Sequence, residues 1–291
     1  MSKPLLDSDR PRAAPPTRSI EVRPLRTHEE FARCVELQND VWGAEFSERV
    51  PAALLKVTQR IGGIAAGAFD GDDLLGFVFG MTGLEDDRLV HWSDMLAVRE
   101  DMRDHGIGRR LKEYQRDTLL ERGIARMYWT FDPLVSRNAH LNINRLGAHV
   151  TEYVPNMYGG DTSSVLHRGL GTDRFIVAWD LDRTPPGATH ASRSEREAPV
   201  LNSVGSDGLP IVPDLTGHAR DIVVRIAVPV AIDQVQAASI STATRWRVST
   251  RCAILWAVDA GYRVTGFIHE DAADCSYYIC TPTPPSGPTE P

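Results

Sequence analysis

Val98-Arg99-Glu100-Asp101-Met102-Arg103-Asp104-His105-Gly106-Ile107-Gly108-Arg109-Arg110-Leu111 joins an apolar run that ends at Val98 to a periodic run that begins at Ile107. Leu89 to Val98 reads as a strand, and Ile107, Leu111, Tyr114 and Thr118 recur at helical spacing until Gly123, so the stretch is a strand-to-helix turn. Gly106 and Gly108 carry no Cβ, so the backbone there can curl and approach an anion closely, and the helix start adds its partial positive charge. Arg103, Arg109 and Arg110 surround the turn with cations, each contributing about 1.5–3 kcal/mol in a charge-assisted contact to phosphate. The expectation is a pyrophosphate site. Positive charge gathers between Arg103 and Lys112 in a chain of 291 residues that sets 32 Lys and Arg against 39 Asp and Glu, for a net charge of −7. That balance excludes a nucleic-acid backbone as the main partner and makes any phosphate site local.

Outward from this turn the pattern is mixed α/β. Ile20 to Leu25 alternates as a strand, and His28 to Trp42 follows at helical spacing behind a Thr27 cap. Ile61 to Phe69 and Leu74 to Met81 are apolar runs on either side of Asp70-Gly71-Asp72-Asp73, a hairpin signal that makes them antiparallel neighbours. Ile124 to Phe131 is a further strand, Ser136 to Leu146 a helix ended by Gly147, and Val150 to Val154 and Phe175 to Leu181 two more strands. The order is β-α-(α)-β-β-β-α-β-α-β-β. Residues 200–282 read as a small β-α-β-β domain: Ile222 to Val228, a largely helical Ile232 to Ala260, then Tyr262 to Ile268 and Ser276 to Cys280. Proline-rich residues 1–18 and 283–291 read as tails and 183–199 as a linker, which leaves 19–182 as the first domain.

Two segments carry a family resemblance. Arg103-x-x-Gly106-x-Gly108, five residues beyond Val98, resembles the acyl-CoA loop of the GNAT N-acetyltransferase superfamily. Ser136-Arg137-Asn138-Ala139-His140-Leu141-Asn142-Ile143-Asn144-Arg145-Leu146-Gly147 is similar to that family's later helix. A Rossmann site is the competitor, but G-x-G-x-x-G is absent, and no G-K-(S or T) follows to make a Walker loop. The resemblance covers about residues 20–182 and implies a mixed, mostly antiparallel sheet flanked by helices that splays between the strands Leu89 to Val98 and Ile124 to Phe131. It also implies a pantetheine arm along the backbone of Leu96, Ala97 and Val98, a pyrophosphate on amides across Asp104, His105, Gly106, Ile107, Gly108 and Arg109, and Asn138 against the arm.

The chemistry so implied is attack of an amine on a thioester, which needs a group to take the ammonium proton and one to return a proton to the thiolate. The positions where family members carry a tyrosine acid and a glutamate base hold Ile143 and Trp92. Asp94 is the preferred base with His91 behind it, and Tyr153 and Tyr158 are the candidates for the acid. Arg137 reads as a contact to a CoA phosphate or substrate carboxylate, or as helix-start solvation. Arg247 and Arg251, at i and i+4 beside Trp246, read as a solvated helix face, with projection toward the active site of the first domain as the alternative. The expected function is an acyl-CoA-dependent N-acyltransferase, with acetyl-CoA or another acyl-CoA as donor, a small-molecule amine as acceptor, no metal, no nucleic-acid or membrane partner, and a homodimer left open. The alternative is a non-catalytic acyl-CoA-binding regulatory module. Cys34, Cys252, Cys275 and Cys280 form no C-x-x-C pair and read as free thiols of a reducing compartment. With no secretory leader in residues 1–18 and no apolar run of about 18, the expected location is the cytoplasm.

Overall fold

A computed structural model of the chain describes residues 19–159, 169–183, 191–206, 208–216, 222–270 and 275–283. The tails at 1–18 and 284–291, and 184–190 of the linker, lie outside the described residues. The first sheet has seven strands: β1 (Ile20–Pro24), β2 (Ile64–Asp70), β3 (Asp73–Glu85), β4 (Arg88–Val98), β5 (Arg126–Phe131), β6 (His149–Val154) and β7 (Arg174–Asp180). Their spatial order is β1-β2-β3-β4-β5-β7-β6. All neighbours are antiparallel except β4 and β5. Helix α1 (His28–Trp42) starts at Thr27, whose side chain and Glu30 close a reciprocal capping box. α1 and α2 (Ala52–Arg60) cover one face of the sheet through Phe31, Leu37 and Leu55, packed on Phe69, Phe77, Phe79, Met95 and Ala97. The opposite face carries α3 (Ile107–Glu121) and α4 (Ser136–Ala139), which continues as a π-turn over His140–Arg145.

Both hairpins before β4 are two-residue turns. Gly71, at φ 60°, closes the expected one between β2 and β3. Asp86 and Asp87, at φ 47° and 60°, close the other, so β3 and β4 run past the expected Met81 and Leu89 to Glu85 and Arg88. Aspartate tolerates this conformation because its short polar side chain can bond locally.

The second unit is an antiparallel sheet of order β8-β10-β9, with β8 (Val224–Pro229), β9 (Tyr262–Glu270) and β10 (Cys275–Pro282). The helical stretch before β9 divides at Ser239 into α6 (Ile232–Ala238) and α7 (Ile240–Asp259), because the extended Ser239 accepts from the Thr242 amide and caps α7. Residues 191–199, expected to be linker, instead hold the short helix α5 (Arg193–Arg196) behind a Ser192 capping box, and Val200 bridges Arg225 of β8. Apolar side chains of the two units form one continuous core, in which Tyr278 packs edge-on to Phe175 at 5.4 Å. Three polar contacts pin the β5–α4 connection to the second unit. The Tyr278 hydroxyl donates to the Pro133 carbonyl at 2.7 Å, Ser136 Oγ to the Pro229 carbonyl at 2.6 Å, and Arg247 Nη1 to Asp132 Oδ1 at 3.0 Å. Arg247 and Arg251 are therefore no solvated face: Arg247 is 4% exposed, and Arg251 Nη2 reaches the buried Asp173 at 2.6 Å.

Candidate active site

The geometry that matters is where β4 leaves β5. The two strands pair in parallel at His91↔Met127 and Trp92↔Tyr128 and nowhere beyond, so from Ser93 to Val98 β4 borders a widening gap. A bulge precedes the opening, since the register with β3 slips between Phe79↔Met95 and Met81↔Trp92. Gly80 makes it fit: a Cβ at 80 would lie 2.3 Å from His91 Nε2 and 2.6 Å from the Trp92 carbonyl oxygen. A gap of this shape leaves backbone donors and acceptors of β4 to a ligand, since a strand edge is otherwise an unsatisfied ladder.

At the end of β4 the chain makes the short 3₁₀ turn Glu100–Met102 and enters α3 through two left-handed residues, Asp104 at φ 63° and Gly106 at φ 74°. No side chain caps α3, so its first amides, which have no intrahelical acceptor, face outward at the positive end of the helix dipole. The Arg cluster is only partly available to an anion. Arg103 has Glu100 at 3.8 Å, Arg109 pairs with Glu113 at 2.8 Å, and Arg110 Nη2 is bound to the Ile20 carbonyl of β1. His105 Nδ1 meets the Arg103 carbonyl at 2.7 Å and braces the turn. Lys112 does not belong to the cluster, because it is buried beneath the sheet. Leu96 and Val98 pack against α3 and Ala97 against the α1–α2 side. Asn138, half-buried near the start of α4, donates its backbone N–H to the Val135 carbonyl, and Arg137 is exposed.

The proton-transfer candidates separate clearly. Asp94 is open to solvent yet partly enclosed by the surrounding protein; desolvation raises its carboxyl above the ordinary aspartate range, while a hydrogen bond from Trp92 opposes the shift and Glu48 adds to it. His91 is fully buried, with Nδ1 3.2 Å from Thr82 Oγ1 and Nε2 3.4 Å from Gln115 Nε2. Burial, then Lys112 and Arg122, push it down to about 3, so it is a neutral core histidine. Tyr153 is also a core residue, contrary to its expected role as an acid. Its ring packs on Phe175 and its hydroxyl donates to Asp173 Oδ2 at 2.5 Å, with burial and that carboxylate raising it further from ionisation. Tyr158 is 38% exposed, its hydroxyl 3.2 Å from Thr130 Oγ1. Beside Asp94, on the face away from α3, an open groove of about 480 Å³ is lined by Met81, Glu85, Trp92, Tyr128, Glu152 and Ile176. Tyr128 donates to Glu85 across it at 2.7 Å. Groove and buried lysine were both missed in the sequence, since strand alternation alone cannot say which face stays uncovered. Among the described residues no group of three or more His, Cys, Asp or Glu is placed to hold a metal.

Residues 29–146 match the model of the Acetyltransferase (GNAT) family, a stretch that runs from α1 to the end of the π-turn after α4 and on which the second unit packs. Solved structures to which the chain is similar include aminoglycoside 6'-acetyltransferase type Ii (19% identity, TM-score 0.44), covering 57% of this chain and 99% of that one. Another is yncA, a putative acetyltransferase from Salmonella typhimurium with acetyl-CoA (17%, 0.45; 58% and 98%). A third is the ribosomal-protein-S18-alanine N-acetyltransferase from Escherichia coli (16%, 0.43; 59% and 99%). No curated protein sequence matches the chain.

Proposed function

We propose that the protein transfers an acyl group, from acetyl-CoA or another acyl-CoA, to the amine of a small molecule bound in the groove on the α1–α2 face. The observation that carries this reading is the parting of β4 from β5 directly upstream of an uncapped helix entered through left-handed Asp104 and Gly106. A gap lined by backbone edge suits an amide-rich arm, and the turn suits its pyrophosphate. Asp94 takes the proton of the attacking amine, and Glu85 and Glu152 make the groove acidic, which favours a cationic acceptor. The amine nitrogen bonds to the thioester carbon, the C–S bond breaks, and the thiolate leaves along β4.

Purified protein is expected to bind coenzyme A with micromolar affinity by calorimetry and to release free thiol from acetyl-CoA with at least one member of a broad amine panel. Binding with no thiol release from any acyl-CoA and amine would select the non-catalytic acyl-CoA-binding module. Asp94→Asn supplies a further check. The wild-type rate is expected to fall as pH drops through the raised Asp94 value, because only the carboxylate accepts a proton. The variant is expected to lose about 100-fold in kcat together with that acidic limb. An unchanged pH profile removes Asp94 from the mechanism.

A further inference from the structure

In parallel register the pair beyond Trp92↔Tyr128 is Ser93 and Trp129, the first residues of β4 and β5 that no longer join. Lys112 of α3 touches both, with Nζ 2.8 Å from Ser93 Oγ and 4.0 Å from the centre of the Trp129 ring. Its nitrogen therefore marks the closed end of the gap. The residue is 4% exposed, and among the described residues no carboxylate pairs with it. Ser93 Oγ is the acceptor it has, and that hydroxyl passes its own proton to Gln115 Oε1 at 2.8 Å. A buried ammonium without a counter-ion costs several kcal/mol, and an apolar residue in its place is often neutral or stabilising. Packing alone gives no reason for a lysine here.

The position relative to a bound donor gives one. With its pyrophosphate at residues 104–109 and its arm running back along β4, an acyl-CoA brings its thioester end toward the apex where Lys112 sits. Trp129 faces α3, so Tyr128 and Thr130 face the other side of the sheet. Tyr158, held to Thr130, lies on that other side as well, and Tyr153 is committed to Asp173. Ile143 brings no proton. Among the described residues the protic groups on the α3 side of the apex are Lys112, Ser93, Gln115 and the neutral His91, and of these the Lys112 ammonium is the one acid.

We propose that Lys112 is the proton donor to the departing coenzyme A thiolate, a role that rests on the acyltransferase reading above. As the amine nitrogen bonds to the carbonyl carbon, the C–S electron pair leaves on sulfur. A proton moves from the Lys112 ammonium to that sulfur, giving the thiol. The amine's proton goes to Asp94 on the opposite face, and exchange with water restores both groups between turnovers. Burial lowers the lysine well below its ordinary range, which makes its ammonium a stronger acid than a free one. The titratable neighbour is His91 of β4, held neutral by burial and by the charges of Lys112 and Arg122; Ser93, Trp129 and Gln115 do not titrate.

The test titrates the thiol of coenzyme A bound to the full chain, read by thiolate ultraviolet absorbance, in wild type, Lys112→Met and Lys112→Gln. In wild type the bound thiol is expected to titrate about one pH unit away from free coenzyme A, since thiol and lysine exchange one proton as a coupled pair. Both variants are expected to lose that shift while melting no lower than wild type, and to lose about 100-fold in kcat together with the alkaline limb of the pH profile. Should Lys112→Met fail to fold, the glutamine variant decides. Variants that bind coenzyme A, keep the thiol shift and retain kcat within about twofold overturn the assignment. Absence of coenzyme A binding by wild type overturns instead the acyltransferase reading, and this role with it.

Discussion

Gly108→Trp is expected to remove coenzyme A binding, with affinity reduced more than about 100-fold, or roughly 3 kcal/mol. Position 108 lies in the first turn of α3, where a Cβ would stand 3.6 Å from Leu96 Cδ2 and 4.0 Å from Val98 Cγ2. These are ordinary contacts, so the fold tolerates a side chain, but an indole there fills the mouth of the gap between the end of β4 and the helix start. Gly108→Ala, which adds one methyl in van der Waals contact, is expected to bind within a few-fold of wild type. Gly106→Ala acts differently, because φ is 74° there and a left-handed alanine costs about 1–2 kcal/mol of backbone energy. Calorimetric titration of the three variants separates steric block from loop strain. Full affinity in Gly108→Trp, with an unchanged circular dichroism spectrum, would place the phosphate site elsewhere.

The largest stability effect is expected at the junction of the two units. Arg247 donates Nη1 and Nη2 to the two oxygens of Asp132 and Nε to the Leu170 carbonyl at 2.9 Å, with side-chain exposures of 4% and 11% for the ion pair. Burial raises the Asp132 carboxyl, but Arg247 and then Arg174 outweigh it and hold it below the ordinary range. Asp173 is treated the same way by burial against Arg251, Tyr153 and Arg247. Arg247→Ala leaves these carboxylates under-compensated, and breaking such a buried pair costs about 3–5 kcal/mol, on the order of 10 °C in Tm. Arg251→Ala, whose side chain is 30% exposed, is expected to cost less. Because both aspartates are lowered on folding, their contribution is full above the ordinary aspartate value of 3.8 and is lost as pH falls through the folded values. The difference in melting temperature between wild type and Arg247→Ala should therefore narrow in acid. Asp132 follows β5 and opens the connection to α4, so the same variant is expected to weaken coenzyme A binding as well. A loss under about 1 kcal/mol would show that the apolar core alone holds the units together.

Much of this was open to sequence reasoning because it is local. The strand-turn-helix at Val98 to Leu111, the Asp-Gly hairpin and the Thr27 cap each depend on a few neighbouring residues whose backbone preferences agree. The Asp86-Asp87 turn was missed because it lacks the glycine that usually announces such a hairpin. The linker was read from composition, which cannot register that Pro199 and Leu201 bond to Arg225 of β8.

The roles of charged residues were not local. Arg247 and Arg251 sit at a spacing that suits a solvated face, and only the packing of the second unit on the first turns them toward Asp132 and Asp173. Tyr153 was a candidate acid until its partner, twenty residues away, claimed its hydroxyl. Lys112 lay in a run of cations and counted as one of them, yet the turn of α3 carries it to the far side of the helix, under the point where β4 and β5 part. The sequence by itself determined the order of elements, the glycine turn and the acidic balance, since each follows from short-range sterics or from counting. Which groups are buried, paired or left to meet a ligand depends on contacts between residues far apart in the chain, and only the tertiary structure decided them.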